Sequence, residues 1–203
     1  MSFSKWEALM SWGEYYEKMK GMPPRPLLTR ALELMPEDQV KIALDLGCGI
    51  GTDSMHLLQK GWRVTAVEKE PEGVSLLKSQ LDVTVSSNLR IIQSSFEALD
   101  SLPVVNFVYA SLSLPFCQQG SFPGFWKIVE SSFSDNCFFA ANFFGPEDDW
   151  VRPRGCTGHS EAEIRELLHD FEILYLHERK ELGPTATSGD KFWHLYSVIA
   201  QRK

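Results

Sequence analysis

The chain has 203 residues, of which 43% are hydrophobic and 23% are charged. These values are those of an ordinary globular protein, and the length suits one domain with a sizeable core. The formal net charge of −7 argues against a nonspecific binder of nucleic acid or of an anionic membrane.

Targeting and metal signals are missing from the sequence. It has no run of about 18 apolar residues, and its first residues lack the apolar core of a signal peptide. The four cysteines, at positions 48, 117, 137 and 156, form neither a Cys-x-x-Cys pair nor a zinc-like cluster. We therefore expect a cytoplasmic protein with reduced thiols, no metal and no membrane partner.

Two helices are predicted before the first strand. Apolar side chains recur at three- and four-residue spacing over residues 4–20, and Gly21 ends this helix. A stiff proline-rich stretch follows, and Pro26 can begin a second helix over residues 27–35. One interpretation is that residues 1–38 form a lid over the ligand edge of a sheet. The alternative is ordinary packing helices.

Strands and helices alternate from residue 39 onward. The apolar runs predict seven strands, at 42–46, 62–67, 89–93, 103–110, 137–144, 171–180 and 192–201. Helices are predicted between them at 52–60, 70–81, 122–133 and 160–169. The last helix begins with a capping box formed by Ser160 and Glu163. Residues 145–158 are the longest predicted irregular connection, and such loops are usually functional or mobile.

This order predicts an α/β fold, a doubly wound, seven-stranded Rossmann-like sheet with helices on both faces and an N-terminal helical lid. The last two strands are too close in sequence for a crossover helix, so they should pair as a hairpin. The last strand is then antiparallel to the others. Residues 1–203 are expected to form a single domain, with 1–38 as the lid and 39–203 as the α/β core.

The most informative stretch lies between the first two strands. Gly47, Gly49 and Gly51 follow the first strand, and Glu68 ends the second. The glycines let a ligand lie against bare backbone, and the acid can accept hydrogen bonds from the two hydroxyls of a ribose. The dinucleotide fingerprint requires its third glycine at the sixth position, which here is Thr52. The spacing therefore argues against a nicotinamide-dependent oxidoreductase.

The run Asp-Leu-Gly-Cys-Gly-Ile-Gly over residues 45–51, followed by Glu68, resembles the first two motifs of class I S-adenosylmethionine-dependent methyltransferases. The Trp-x-x-Tyr-Tyr run of residues 12–16, the Pro-Arg-Pro segment and the Thr-Asp-Ser start of the next helix look like small bacterial tellurite-resistance and thiopurine-type methyltransferases. The resemblance implies S-adenosylmethionine as the cofactor and a small-molecule acceptor. We expect a monomer or homodimer that binds no nucleic acid.

The resemblance places the cofactor at the carboxyl ends of the strands. The residues predicted to bind it are Asp45, Gly47, Cys48, Gly49, Gly51, Asp53, Glu68, Lys69, Ser95, Phe96, Ser111, Leu112 and Arg25. Asp45 is expected to order the loop by accepting backbone N–H bonds, and Arg25 to pair with the methionine carboxylate or an anionic acceptor. Ser95 stands where family members often carry an acid. The run at residues 113–116 lacks the Asn or Asp of enzymes that methylate nucleobase amines or glutamine.

The acceptor pocket should lie between the lid and the 145–158 loop. Its candidate residues are Trp12, Tyr15, Tyr16, Arg25, Trp150, Arg152, Arg154 and His159. Tyr16 and His159 are the predicted catalytic residues, the first closing over the sulfonium and the second acting as a general base. The predicted function is methyl transfer from S-adenosylmethionine to a small molecule by in-line displacement. The alternative is a noncatalytic S-adenosylmethionine-binding protein, either a sensor or a partner subunit.

Overall fold

The computed structural model describes residues 12–83 and 85–203. Residues 4–11 of the predicted first helix and the side chain of Arg154 therefore lie outside the described residues. Within the described ranges, no helix combines the length and the apolar character needed to cross a bilayer.

Strands and helices alternate along most of the chain. The strands are β1 (Ile42–Leu46), β2 (Arg63–Glu68), β3 (Leu89–Gln93), β4 (Val105–Ala110), β5 (Phe133–Phe144), β6 (Phe171–Pro184) and β7 (Asp190–Arg202). The α-helices are α1 (Trp12–Met19), α2 (Pro26–Leu34), α3 (Thr52–Gln59), α4 (Pro71–Ser79), α5 (Phe122–Glu130), α6 (Val151–Arg154) and α7 (Glu161–Leu167). Short 3-10 turns lie at Ser86–Asn88, Phe96–Ala98 and Leu114–Phe116.

The strands form one sheet in the order β3-β2-β1-β4-β5-β7-β6. Strands β1 to β5 pair in parallel, whereas β7 is antiparallel to both of its neighbours, β5 and β6. The predicted doubly wound Rossmann-like sheet with an antiparallel last strand is confirmed. Because the strand order reverses between β1 and β4, a crevice is expected at their carboxyl ends.

A hydrophobic core lies on each face of the sheet, since successive strand residues point to opposite sides. On one face, Leu44 and its neighbours share a cluster with Trp126 of α5 and Ile164 of α7. On the other face, Ala43 shares a cluster with Leu28 of α2 as well as with residues of α3 and α4. The prediction of helices on both faces is therefore confirmed.

The predicted boundary between α5 and β5 is wrong. The helix ends at Glu130, and the strand begins at Phe133, earlier than predicted. The hydroxyl of Ser132 donates to the carbonyl of Val129 over 2.6 Å, which occupies a carbonyl at the helix end. The Phe133 ring packs edge-on against Phe171, with 4.9 Å between centroids, so it belongs to the sheet core.

The last two connections are also more regular than predicted. Helix α6 lies within the 145–158 segment, and Gly155 ends it in a left-handed conformation with φ 69°. Pairing of β6 with β7 continues to Pro184 and Asp190, so the hairpin turn spans only residues 185–189. Backbone pairing between the two strands extends the ladder beyond the apolar runs that mark it in the sequence.

Candidate functional site

A cavity of about 540 Å³ opens at the carboxyl ends of the central strands, beneath α1. It is lined by twelve of the thirteen residues predicted to bind the cofactor and by the lid residues Trp12, Tyr15 and Tyr16. Gly51 is the exception. Its φ is 82°, and an added Cβ would lie 2.2 Å from Leu77, so this glycine permits the packing of α4.

The glycine loop is held by the end of β2. The N–H groups of Gly47 and Cys48 donate to the carbonyl of Val67 over 2.8 and 3.0 Å. The N–H of Gly49 donates to Glu68 Oε2 over 2.7 Å. The prediction that Asp45 orders the loop by accepting backbone N–H bonds is therefore wrong, because the end of β2 supplies the acceptors.

Two glycines of the loop have distinct roles. Gly47 has φ 73°, and an added Cβ would lie 2.4 Å from Cβ of Ser113, so only glycine allows this close approach. Gly49 has φ 57°, and an added Cβ would meet only Tyr16, at 3.7 Å. Bare backbone at Gly49 therefore faces space that a ligand can use.

Glu68 is a buried acid with three donors around it. Besides Gly49, the N–H of Glu70 donates to Oε1 over 2.9 Å, and the hydroxyl of Tyr16 lies 3.5 Å from the same oxygen. A carboxylate offers about four acceptor positions. The carboxylate thus joins the loop, the start of α4 and the lid, and retains capacity for a further donor. Lys69, beside it, is half exposed at the rim.

Asp45 is 2% exposed and accepts a hydrogen bond from the Ser54 hydroxyl over 2.6 Å. Burial, followed by the charge of Asp53, raises the pKa of Asp45 to about 7, although the bond from Ser54 lowers it. The neighbouring Cys48 thiol has a pKa well above its ordinary value because it too is buried. At neutral pH this part of the wall therefore contains a carboxyl group close to its pKa, next to a protonated and unreactive thiol.

Asp53 anchors the N-terminal segment to the site. Its carboxylate accepts the N–H of Arg25 over 2.8 Å and the hydroxyl of Tyr109 over 2.8 Å. The Arg25 guanidinium in turn donates to the hydroxyl of Tyr15 over 2.6 Å. Among the described residues, no carboxylate lies within ion-pair distance of that guanidinium. Arg25 is thus held in the cavity wall with its charge available to an anionic group.

Tyr16 lies at the centre of the lid and is 1% exposed. Its ring stacks on Trp12, with 6.2 Å between centroids, and an added Cβ at Gly73 would lie 3.0 Å from its hydroxyl. Burial, with the charge of Glu68 as the next cause, raises the pKa of the phenol far above its ordinary value. Tyr16 therefore stays protonated and closes the cavity as an aromatic wall rather than as a base.

The third and fourth strand ends complete the wall. Phe96 stacks on Phe125, with 4.6 Å between centroids, so part of its ring belongs to the core, and Ser95 lies beside it in the cavity lining. Leu112 has φ 52°, a strained conformation for a residue other than glycine. The hydroxyl of Ser111, just before it, donates to Asn142 over 3.0 Å and so fixes this turn against β5.

His159 does not line the cavity. Its position therefore contradicts the predicted role as a general base. Its ring centroid lies 4.5 Å from that of Phe122 and 5.4 Å from that of Phe143, on the core side of β5. Burial lowers the pKa of His159, and its Nδ1 is buried without a hydrogen-bond partner among the described residues. Trp150 and Arg152 also lie outside the lining.

Sequence reasoning missed several residues of the wall, namely Glu97, Phe116, Gln118, Gly155 and Cys156. The N–H of Gln118 donates to the Glu97 carboxylate over 2.9 Å, and Gln118 forms an isolated bridge with Cys156. These contacts join segments far apart in sequence, so no local pattern predicts them. The position of Glu97 shortly after β3 is the one signal that pointed toward the site.

Comparisons with known proteins agree with this geometry. Residues 43–130 match the family model described as a methyltransferase domain. No curated protein matches the chain. Residues 43–130 are thus similar to a methyltransferase domain, and proteins described as S-adenosylmethionine-dependent methyltransferases share the fold of the chain. The predicted resemblance is confirmed.

Solved structures share the fold over nearly the whole chain. TehB from Haemophilus influenzae has a TM-score of 0.73 and 17% identity, over 95% of this chain and 67% of that one. The 1,6-didemethyltoxoflavin-N1-methyltransferase of Burkholderia thailandensis has a TM-score of 0.66 and 16% identity, over 100% of this chain and 91% of that one. The N-methyltransferase NodS of Bradyrhizobium japonicum has a TM-score of 0.66 and 13% identity, over 91% and 90%.

Proposed function

We propose that the chain transfers the methyl group of S-adenosylmethionine to a small-molecule acceptor. The observation that carries the proposal is a cavity in which the glycine loop and Glu68 share a wall with the aromatic lid. Among the proteins with this fold, one is described as an N1-methyltransferase bound to 1,6-didemethyltoxoflavin and S-adenosylhomocysteine. That description supports a small acceptor here as well.

The residues present fit the cofactor. Bare backbone at Gly49 leaves room against the loop, and Glu68 retains acceptor capacity for a ribose hydroxyl. Arg25 supplies a guanidinium for the methionine carboxylate, and Asp45 an acid for the methionine amino group. Ser95 and Phe96 are assigned to the adenine side of the cavity.

When bound, the cofactor supplies an electrophilic methyl group on a sulfonium, which an acceptor attacks in line. The chain's own contribution is alignment and exclusion of water. Trp12, Tyr16 and Phe116 form an aromatic wall, and such ring faces attract a positive charge. Tyr16 stays protonated and His159 lies outside the cavity, so neither side chain removes a proton from the acceptor.

Turnover tests the proposal. The protein is incubated with methyl-labelled S-adenosylmethionine and a panel of small acceptors with nitrogen, oxygen and sulfur nucleophiles, and formation of S-adenosylhomocysteine is followed. We expect product with at least one acceptor, dependent on Gly49 and Glu68. Tight binding of the cofactor without turnover across the panel would favour the alternative, a noncatalytic binding protein.

A further inference from the structure

A buried ammonium group lies just outside the acceptor side of the cavity. Lys191, in β7, is 4% exposed. Its Nζ lies 4.1 Å from the ring centroids of Phe144 and Trp150 and 3.9 Å from that of Trp193. The same atom donates to the carboxylate of Asp148. These distances describe an ammonium enclosed by three aromatic faces and one carboxylate, which we call the Lys191 cage.

The carboxylate of the cage ties the 145–158 segment to β7. Asp148 has a fully buried side chain and accepts the N–H groups of Trp150 and His194 over 3.0 and 3.1 Å. Next to it, the N–H of Asp149 donates to the carbonyl of Phe192 over 3.2 Å, and the N–H of Phe192 donates to the Asp149 carboxylate over 2.6 Å. The segment is therefore fixed to the strand that carries Lys191.

The rings of the cage reach the cavity through Phe116. The ring centroids of Phe144 and Trp150 lie 6.1 and 6.2 Å from that of Phe116. The Phe116 centroid in turn lies 5.6 Å from that of Trp12 in the lid. Both Phe116 and Trp12 line the cavity. Cys156, also in the lining, donates its N–H to the carbonyl of Trp150 over 3.4 Å. A shift of the cage rings would therefore move the wall on this side.

An enclosed ion pair of this kind is a weak source of stability. Desolvation of both charges offsets much of their attraction, and apolar replacements of such pairs are often neutral. A cation does, however, impose an orientation, because it is attracted to the face of a ring and not to its edge. The cage thus fixes the orientation of Phe144 and Trp150, on which Phe116 packs.

We propose that Lys191 is a positioning residue for the methyl acceptor, which it serves by holding Trp150 and Phe116 in place. This inference rests on the proposed function. Lys191 itself does not line the cavity, so it acts through these rings rather than on the acceptor. Its removal should disturb the acceptor side of the site and spare the glycine loop, which is held independently by Val67 and Glu68.

Three variants test the proposal. Lys191→Met keeps the length of the side chain without the charge, and Lys191→Arg keeps a cation that stacks on rings. Lys41→Met is the control, since Lys41 is exposed at the other end of β1 and its side chain bonds only to the Lys60 carbonyl among the described residues. The measurements are S-adenosylhomocysteine affinity by calorimetry, acceptor kinetics, and amide hydrogen exchange over residues 145–158.

For Lys191→Met we expect the acceptor KM to rise about tenfold, with kcat and S-adenosylhomocysteine affinity nearly unchanged. Exchange over residues 145–158 should accelerate, and Lys191→Arg should recover most of both effects. An unchanged acceptor KM or unchanged exchange in Lys191→Met would overturn the proposal, as would an equal effect of Lys41→Met. If the wild-type protein methylates no acceptor, the proposed function fails. Amide hydrogen exchange over residues 145–158 in a Lys191→Met variant that retains S-adenosylhomocysteine affinity still decides whether the Lys191 cage holds this segment.

Discussion

The backbone N–H of Gly49 donates to Oε2 of Glu68 over 2.7 Å, so the acid at the end of β2 fixes the loop that follows β1. Oε1 of the same carboxylate accepts the N–H of Glu70 over 2.9 Å and faces the Tyr16 hydroxyl at 3.5 Å. One buried carboxylate therefore connects the glycine loop, the start of α4 and the lid. Replacement of Glu68 should therefore alter both the shape of the cavity and the affinity of the cavity for its ligand.

Replacement of Glu68 by alanine should weaken cofactor binding by about 1–3 kcal/mol, the cost of losing hydrogen bonds to a charged group. Stability should fall as well, because the N–H groups of Gly49 and Glu70 lose their acceptor. Calorimetric titration with S-adenosylhomocysteine and urea unfolding measure the two effects. Glu130→Ala, an exposed acid on α5, is the control, and unchanged affinity in Glu68→Ala would remove this acid from the site.

The two parts of Tyr16 should have separable effects. Tyr16→Phe should leave cofactor affinity unchanged or tighter, because the hydroxyl competes for Glu68 through a long contact of 3.5 Å. Tyr16→Ala should weaken binding by about tenfold or more, since it opens the aromatic wall. Titrations of both variants with S-adenosylhomocysteine check this. A large loss in Tyr16→Phe would show that the hydroxyl, and not the ring, contacts the ligand.

Asp45 should make stability depend on pH. Its folded pKa of about 7, raised by burial and then by Asp53, lies above the value of about 3.9 expected for an aspartate in the unfolded chain. Between these values the folded protein holds a proton that the unfolded chain has released. The stabilisation from this group is thus complete below about pH 4 and lost as the pH rises through about 7.

The test compares urea unfolding of the wild-type protein and Asp45→Asn between about pH 5 and pH 7. The free energy of unfolding should fall more steeply in the wild type, by up to about 1.4 kcal/mol per pH unit. Asp100→Asn, at an exposed acid, should behave as the wild type. Parallel curves for the wild type and Asp45→Asn would mean that Asp45 is ionised throughout this range.

His159 should be dispensable for catalysis. A general base typically contributes a factor of about 10²–10⁴ in rate, but this imidazole packs between Phe122 and Phe143 outside the cavity. We expect His159→Gln to retain kcat within about threefold, with the same pH profile. Rate measurements across pH with any acceptor that the wild type methylates check this. A loss of about 100-fold in a folded variant would restore His159 as a base.

Local patterns were enough to predict most of the fold. The bounds of β1 and β3 agree with the prediction because each is a short apolar run with turn residues around it. The start of β5 was missed because residues 133–136 have no apolar alternation and are placed by packing of Phe133 on Phe171. Extension of the final hairpin depends on pairing with a partner strand, which a single strand's composition does not reveal.

The site divides in the same way. Residues at the carboxyl ends of parallel strands, such as Glu68 in β2 and Ser111 just after β4, could be predicted because those ends meet at one edge of the sheet. The partners of Asp45 and the position of His159 could not, since they depend on which face of a neighbouring element each side chain meets. The Lys191 cage joins β5, the 145–158 segment and β7, and no spacing of residues in the sequence predicts it.

Calorimetric titration of Gly49→Val with S-adenosylhomocysteine tests the central claim most directly. A side chain at Gly49 would point at space beneath Tyr16, and Gly61→Val is the matched control, since its φ of 83° imposes similar strain with nothing within 4 Å. Circular dichroism establishes that both variants are folded. We predict saturable binding by the wild type and by Gly61→Val, and none by Gly49→Val. Undiminished binding by a folded Gly49→Val variant would contradict the assignment of this cavity to the cofactor.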